Sequence, residues 1–379
     1  MTTKHTILIT AACCIAAACK PDSGAKAPQA TTEYTVAAAD TMPPSAPLPA
    51  DSTYTIAMAG DIMMGTTYPD SVLPADEGRL LFADAAQVLR RADIAAGNLE
   101  GSLCDTTCHT KKTLHEYNYA FRTPVEYAAR LGEAGFDFLC MANNHSLDFG
   151  WDGVRSTEHA LDGQDIAYAG LRGRRKWAII ERRGVKFGVC AFGHNAFTIS
   201  HKRPDEVTEI LDTLRAMADI IIVSFHGGGE GTAYSHLPYG HEEYIGEDRG
   251  SLREFAHLCI DHGADIVFGH GPHVVRCVEL YRDRLIAYSL GNFCTPFGIS
   301  VAGVSGYAPV IEARIDRQGH FITGQIHPFI QRRGIGPRRD TTGVVINRIR
   351  ELTAEDIPDG RLIIADDGTI TDRNNGRKR

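Results

Sequence analysis

Five short polar motifs, each closing an apolar run, carry the side chains from which a divalent metal centre is built. The run Ile220-Ile221-Ile222-Val223-Ser224-Phe225 ends on His226 and three glycines before Glu230. The others end in Gly60-Asp61, in Gly97-Asn98-Leu99-Glu100, in Asn143-Asn144-His145 and in Gly269-His270-Gly271-Pro272-His273. Asp, Glu, Asn and His are the donors that hard and borderline divalent ions select. An ion so held polarises an ester or acyl oxygen and lowers the pKa of bound water toward ~7, and a nearby histidine protonates what departs. The same residues also admit a structural reading: satisfied core histidines at His226, His270 and His273, and backbone caps at Asp61 and Glu100.

The elements that must position these groups follow from hydrophobic pattern. A β-branched run that stops at a histidine followed by glycines is a buried strand delivering an imidazole to the rim of a sheet. A strand over 54–59, a helix over 79–91 and a strand over 94–97 make a right-handed parallel crossover. Residues 101–123 are an insertion, followed by a helix that Pro124 starts and Gly135 ends, a strand over 136–141, a helix over 151–161 and a strand over 166–169. Arg182-Arg183-Gly184 and Arg282-Asp283 are hairpin turns. Helices over 205–217 and 251–262 flank the strand to His226 and a strand over 264–269. A third hairpin on Asp316-Arg317-Gln318-Gly319, a helix over 341–352 and a small hairpin over 361–370 complete the pattern. The expectation is an α/β fold with a mixed sheet and helices on its faces, forming one domain over 53–350 with an accessory tail over 351–379.

Composition limits the partners. The chain has 379 residues, 43% of them hydrophobic and 23% charged, enough to bury a large core. A formal charge of -8 argues against nucleic acid, because backbone phosphates demand clustered Lys and Arg. The basic stretches Gln331-Arg332-Arg333 and Pro337-Arg338-Arg339 read as solvated loops. At the N-terminus, Lys4 and His5 precede an apolar run over 7–18, shorter than the roughly 20 residues of a membrane span, that ends Ala16-Ala17-Ala18-Cys19. Residues 1–19 read as a secretory signal. Residues 20–52, rich in Ala, Pro, Thr, Ser and Asp, read as a flexible tether. Cys140, Cys190, Cys259 and Cys277 lie in apolar patterns as small core residues. Cys104 and Cys108 flank a polar loop directly after Glu100, where an oxidising compartment allows a local disulfide.

Six motifs in order, GDIMMG (60–65), GNLEGSL (97–103), ANNHSLDFG (142–150), SFHGGGE (224–230), GADIVFGHGPHVV (263–275) and IAYSLGNF (286–293), resemble those of the CapA family, the poly-gamma-glutamate capsule biosynthesis proteins. That family is similar to the calcineurin-like metallophosphoesterases, which implies a four-layer sandwich of two mixed β-sheets between helices. The resemblance implies a divalent metal ion (Mn, Zn, Mg or Fe) as cofactor. One firm position would draw on Glu100, Asn144, His226 and His270. A weak or empty second would draw on Asp61, Glu100 and His273, because Met63 stands where the pattern has a further histidine and a thioether is a poor ligand for such ions. His145 takes the place of the histidine that donates toward the leaving oxygen, and Asp148, three residues on, would orient its imidazole. Their structural alternatives are a helix-start donor and a helix N-cap.

Loops such as the one after His226 bear substrate contacts. Glu230 lies in it, and Arg249, at an expected helix start, would clamp a carboxylate or phosphate bidentately unless it forms a surface ion pair. Many members of the family have Trp and His where this chain has Gly227 and Gly271. A cysteine after small residues resembles a lipobox, implying lipidation of Cys19 and a place in the cell envelope on a bacterial membrane. Three functions are open: a lipid-anchored protein of capsule or related extracellular polymer biosynthesis, acting on a polyanionic polymer beside capsule synthesis and export proteins; a metal-dependent hydrolase of phosphoester substrates; and a non-catalytic polymer-binding scaffold.

Overall fold

The computed structural model describes residues 53–110 and 119–374. The expected signal, the tether and Cys19 lie outside the described residues. The chain builds one sheet, then a second, then returns to the first. Strands Tyr54–Ile62 (β1), Ile94–Leu99 (β2), Phe138–Cys140 (β3) and Ala167–Ala169 (β4) open the first sheet. Strands Trp177–Arg182 (β5), Val185–Gly193 (β6), Ile220–His226 (β7), Ile266–His270 (β8), Val278–Tyr281 (β9) and Arg284–Ala287 (β10) form the second. Asn292–Cys294 (β11), Val310–Ile315 (β12), Phe321–His327 (β13), Leu362–Ile364 (β14) and Thr369–Asp372 (β15) complete the first. The first sheet runs β14-β15-β13-β12-β1-β2-β3-β4, with β11 also paired to β1, and the second runs β9-β10-β8-β7-β6-β5.

Alternation along the strands makes the layers. In β1, Tyr54, Ile56 and Met58 belong to the core shared with the second sheet, whereas Ala57 and Ala59 face a separate cluster. That cluster includes residues of helices Ala86–Arg91 (α1), Ala128–Ala134 (α2) and Gly150–Asp162 (α3). Ile94 and Ala96 of β2 oppose Ala95 in the same way, and Phe138 and Cys140 of β3 oppose Leu139, as the period of two requires. Strand β7 is buried at every position and packs with helices Pro204–Arg215 (α4) and Leu252–Asp261 (α5), the pattern of a strand covered on both faces. Helix, sheet, sheet and helix are therefore the four layers expected.

All four predicted hairpins form. Arg183 and Gly184 have φ of 53° and 73°, and Arg282 and Asp283 have 47° and 61°, the left-handed pair whose twist matches antiparallel strands. Three expectations change. The helix over 79–91 is regular only in α1, because the carbonyls of Leu80 and Leu81 accept from Arg338 and Asp84 accepts from the Arg339 backbone. The two basic stretches are not loops: they lie on or beside a ribbon of Phe329–Arg332 and Gly336–Arg339. The boundary at 350 falls inside helix Val344–Asp356 (α6), and β14 and β15 extend the first sheet, so the tail is part of the domain. No helix among the described residues is long and apolar enough to cross a membrane.

Candidate metal centre

The five motifs sit at the carboxyl ends of strands, where open α/β sheets place their ligands. Gly60 precedes Asp61 because β1 is pressed against the segment before β11: a Cβ there would lie 2.0 Å from the Gly291 carbonyl oxygen. The Asp61 amide donates to that same oxygen at 2.9 Å. Asp61 is fully buried and receives Asn98 Nδ2 at 2.9 Å, and Asn98 in turn receives Asn143 Nδ2 at 2.9 Å. Asn143 also accepts from the His145 amide and from Ser146 Oγ. One amide chain thereby fixes the carboxylate of β1 and the turn that carries His145. Asn98 and Asn143 were missed by the sequence reading, although both lie inside the motifs it singled out.

Residues Asp61, Glu100 and His273 bring one ligand atom each within 4.8 Å of one another. His273 Nδ1 is 2.9 Å from Asp61 Oδ2, and its Nε2 is 3.7 Å from Glu100 Oε1. The backbone of His273 is left-handed, φ 56°, a conformation costly for a non-glycine residue and found where surroundings enforce it. His226 and His270 stand side by side on β7 and β8. His226 Nε2 lies 3.2 Å from Glu100 Oε1, and His270 Nδ1 lies 3.4 Å from Asp61 Oδ1. The trio already gathered is the set expected to be the weaker position, because the turned backbone of His273 aims its ring at both carboxylates. Met63, which takes no part, is buried with its Cε beside Gly298 and Phe121.

Charge at this cluster is unbalanced. Burial alone would raise the Asp61 carboxyl, but the neighbouring imidazoles of His270 and His273 hold it far below the ordinary carboxylate range. Burial and then the Asp61 charge push Glu100 well above it. For His273 burial acts downward, yet Glu100 and Asp61 overcome it and raise the imidazole to about 10. Glu100 Oε2, His226 Nδ1 and both nitrogens of His270 have no hydrogen-bond partner although buried. Two buried carboxylates with uncommitted imidazole nitrogens around them are a donor set that fits a divalent cation.

His145 faces a cavity of about 670 Å³ that His273 and Asn144 also line. Its Nδ1 is 2.9 Å from Asp148 Oδ2, which also accepts the Phe121 amide at 2.7 Å. The Phe121 ring packs 4.5 Å from the imidazole. Asp148 lies before α3 and is not its cap, because its carboxylate is turned to His145 and Phe121. Arg249 requires a correction. It lies on a short strand, Glu247–Gly250, not at a helix start. Its Nη1 is 2.9 Å from Glu230 Oε1 and its Nη2 3.0 Å from Glu247 Oε2, so its fork is occupied by protein carboxylates and not presented to an anion.

The loop that carries these residues is held from below by a pair the sequence reading did not include. Arg276, whose side chain is fully buried, donates Nη1 and Nη2 to the two oxygens of Glu242 at 2.9 and 2.6 Å. Glu242 also accepts the Gly229 amide at 3.0 Å. Two further histidines lie behind the centre. His194 stacks on His226 with ring centroids 5.6 Å apart. Burial, then Arg249, brings it down to about 3. A Cβ at Gly227 would lie 2.7 Å from His201 Nε2, so His201 occupies the space of a side chain there. Cys104 and Cys108 are buried together beside Phe149 and are unbridged. Burial, then Cys108, pushes the Cys104 thiol far up.

Residues 55–296, which hold every one of these centre residues, match the family described as "Bacterial capsule synthesis protein PGA_cap". The chain belongs to that family. Among PGA_cap relatives it is 28% identical over 260 residues to the PGA biosynthesis protein CapA of Bacillus subtilis, an alignment covering 64% of this chain and 63% of that protein. It is 28% identical over 258 residues to the capsule biosynthesis protein CapA of Bacillus anthracis, covering 63% and 59%. The match thus spans less than two thirds of either relative's length. A solved structure described as a novel phosphatase from Mycoplasma pneumoniae is similar at 14% identity and a TM-score of 0.47, covering 74% of this chain and 94% of that one.

Proposed function

We propose that this PGA_cap protein acts on a polyanionic capsule-type polymer of γ-glutamyl units, or a related extracellular polymer, through a divalent metal centre at Asp61, Glu100, His226, His270 and His273, beside capsule synthesis and export proteins. The observation that carries the reading is the trio of two buried carboxylates, Asp61 and Glu100, with the half-buried His273, gathered with partnerless nitrogens around it. An ion bound there supplies Lewis acidity for the substrate's acyl or phosphoryl oxygen. The chain's own residues do the rest. His145 gives Nδ1–H to Asp148, which fixes the tautomer and leaves Nε2 as the atom that takes or delivers a proton at the reacting oxygen. Asn144, on the same cavity wall, serves as the amide donor beside it. Phe121 and Phe197 give the cavity apolar walls. Lipidation of Cys19 would hold this domain at the surface of a bacterial membrane, which the small residues before that cysteine support.

The deciding experiment is metal content per chain by plasma mass spectrometry on the purified protein, beside His226→Ala and Met63→His. About one ion in the parent, lost in His226→Ala, is expected. No ion after purification without chelator and reloading with Mn or Zn would overturn the metal reading and leave a binding protein. Turnover of a generic aryl phosphate that His145→Ala abolishes, without activity on γ-glutamyl chains, would move the substrate to phosphoesters. Incorporation of a labelled fatty acid that Cys19→Ala abolishes tests the anchor.

A further inference from the structure

The wall of the cavity that His145 lines carries more carboxylate than guanidinium. Glu230 and Glu247 flank the single guanidinium of Arg249, and each of its three nitrogens already faces one of these carboxylates. The trio therefore leaves a net charge of about -1 at the cavity lip. Glu230 and Arg249 are mostly buried, whereas Glu247 is 54% exposed and open to a ligand.

A second observation points the same way. His194 is 7% exposed, and its Nδ1 lies 3.4 Å from the His226 carbonyl oxygen, a contact that is attractive only if Nδ1 carries the proton. In the neutral ring Nε2 is then a bare acceptor. It is buried without a hydrogen-bond partner and stands 3.6 Å from Glu247 Oε2. An acceptor aimed at a carboxylate is an unfavourable arrangement until a donor arrives beside that carboxylate. The aromatic residues Tyr119 and Phe197 also line the cavity, and ring faces attract a cation.

We infer that the cavity binds the ammonium end of an anionic chain, with a primary ammonium on Glu247 and Glu230 while the chain's anionic group faces the Asp61, Glu100 and His273 cluster. An ammonium offers three donors and no acceptor, which suits a wall made of acceptors. The inference rests on the reading that this centre handles a γ-glutamyl polymer, and it narrows that reading. The interior of such a chain presents only carboxylates and amides, which a net-negative lip repels; its amino terminus alone presents a cation. The protein therefore engages chain ends and not chain interiors.

The test is calorimetric titration of the full chain loaded with Mn2+, using tri-γ-glutamate with a free amino terminus and the same peptide N-acetylated. The free amine is expected to bind at least tenfold more tightly, and Glu247→Gln is expected to bring the two within about twofold by weakening the free-amine peptide. Because Glu247 is exposed, this variant should melt with the parent. Equal affinities in the parent would overturn the inference and leave the polymer reading standing. Tightening of both peptides by Glu247→Gln would also overturn it and assign Arg249, released from its carboxylate, as an anion site. Binding of neither peptide would overturn the inference together with the polymer reading, while metal content would still report on the centre itself.

Discussion

His226 at the end of β7 and Glu100 just past β2 meet at 3.2 Å, although they belong to different sheets and are 126 residues apart. Neither has solvent exposure. The two sheets are thus joined at their carboxyl rims by a polar contact inside an apolar sandwich, which concentrates charge where burial makes it most costly. A cation relieves that cost, so the consequences for stability and for pH are measurable.

Metal binding should stabilise the fold. A ligand present at 100 times its Kd adds about 2.7 kcal/mol, which for a domain of this size raises Tm by roughly 4 °C. Scanning calorimetry with and without Mn or Zn should show that rise in the parent and little of it in His226→Ala or His273→Ala.

Without metal, stability should fall with alkalinity. His273 is raised to about 10 in the fold against ~6.5 unfolded, so between those values the native state holds the extra proton. Its contribution is complete below about pH 6.5 and is lost as pH rises through about 10. Glu100, raised by burial and by Asp61, acts in the same direction, because the native state resists its ionisation. Urea titrations of the metal-free protein at pH 7 and 10 should show a decline that His273→Gln flattens. In the metal-loaded protein the proton is displaced, so affinity for metal should increase with pH.

Asp148→Asn should leave metal content unchanged and lower kcat by about 10–100-fold, the usual cost of losing the carboxylate that orients a working imidazole. The readout is turnover on whichever substrate the parent accepts. An undiminished rate would reduce the bond between His145 and Asp148 to a structural one.

Arg276→Ala should destabilise by about 3–5 kcal/mol, because it strands the Glu242 carboxylate in the interior. Replacing both partners, Arg276→Met with Glu242→Leu, should recover much of that loss. Denaturant midpoints compare the three proteins. The loop bearing Glu230 and Arg249 should become sensitive to protease in the single variant.

Gly227→Ala should cost about 1–3 kcal/mol by overpacking, since its Cβ would press on His201 Nε2 at 2.7 Å and on the Arg249 carbonyl at 2.9 Å. Thermal melts read the loss. A neutral outcome would mean that His201 gives way easily.

The residues at the strand ends were legible because each follows a run whose pattern admits little but a buried strand, and because side chains that terminate such runs can only emerge at a rim. Asp61, Glu100, His226 and His270 stand at strand ends as that rule expects, while the Arg183-Gly184 and Arg282-Asp283 turns were legible from the short polar break between two strands. Asn98 and Asn143 escaped it, since an amide inside a motif looks like any other polar residue until its neighbours across the sheet are known. His194 escaped for a related reason: nothing local marks a histidine in the loop after β6 as the ring that stacks on His226.

Local pattern determined which strands are buried, where each ends and which chemistry waits there, because hydrophobic periodicity and turn preference are short-range properties of the chain. Only the tertiary structure decided how the ends combine. It turned His273 by a left-handed backbone onto both carboxylates, spent the Arg249 guanidinium on Glu230 and Glu247, and set Arg276 beneath the loop. Those outcomes depend on Coulomb and hydrogen-bond partners brought together from distant positions, and such pairings are settled by packing the two sheets, which no single stretch of sequence encodes.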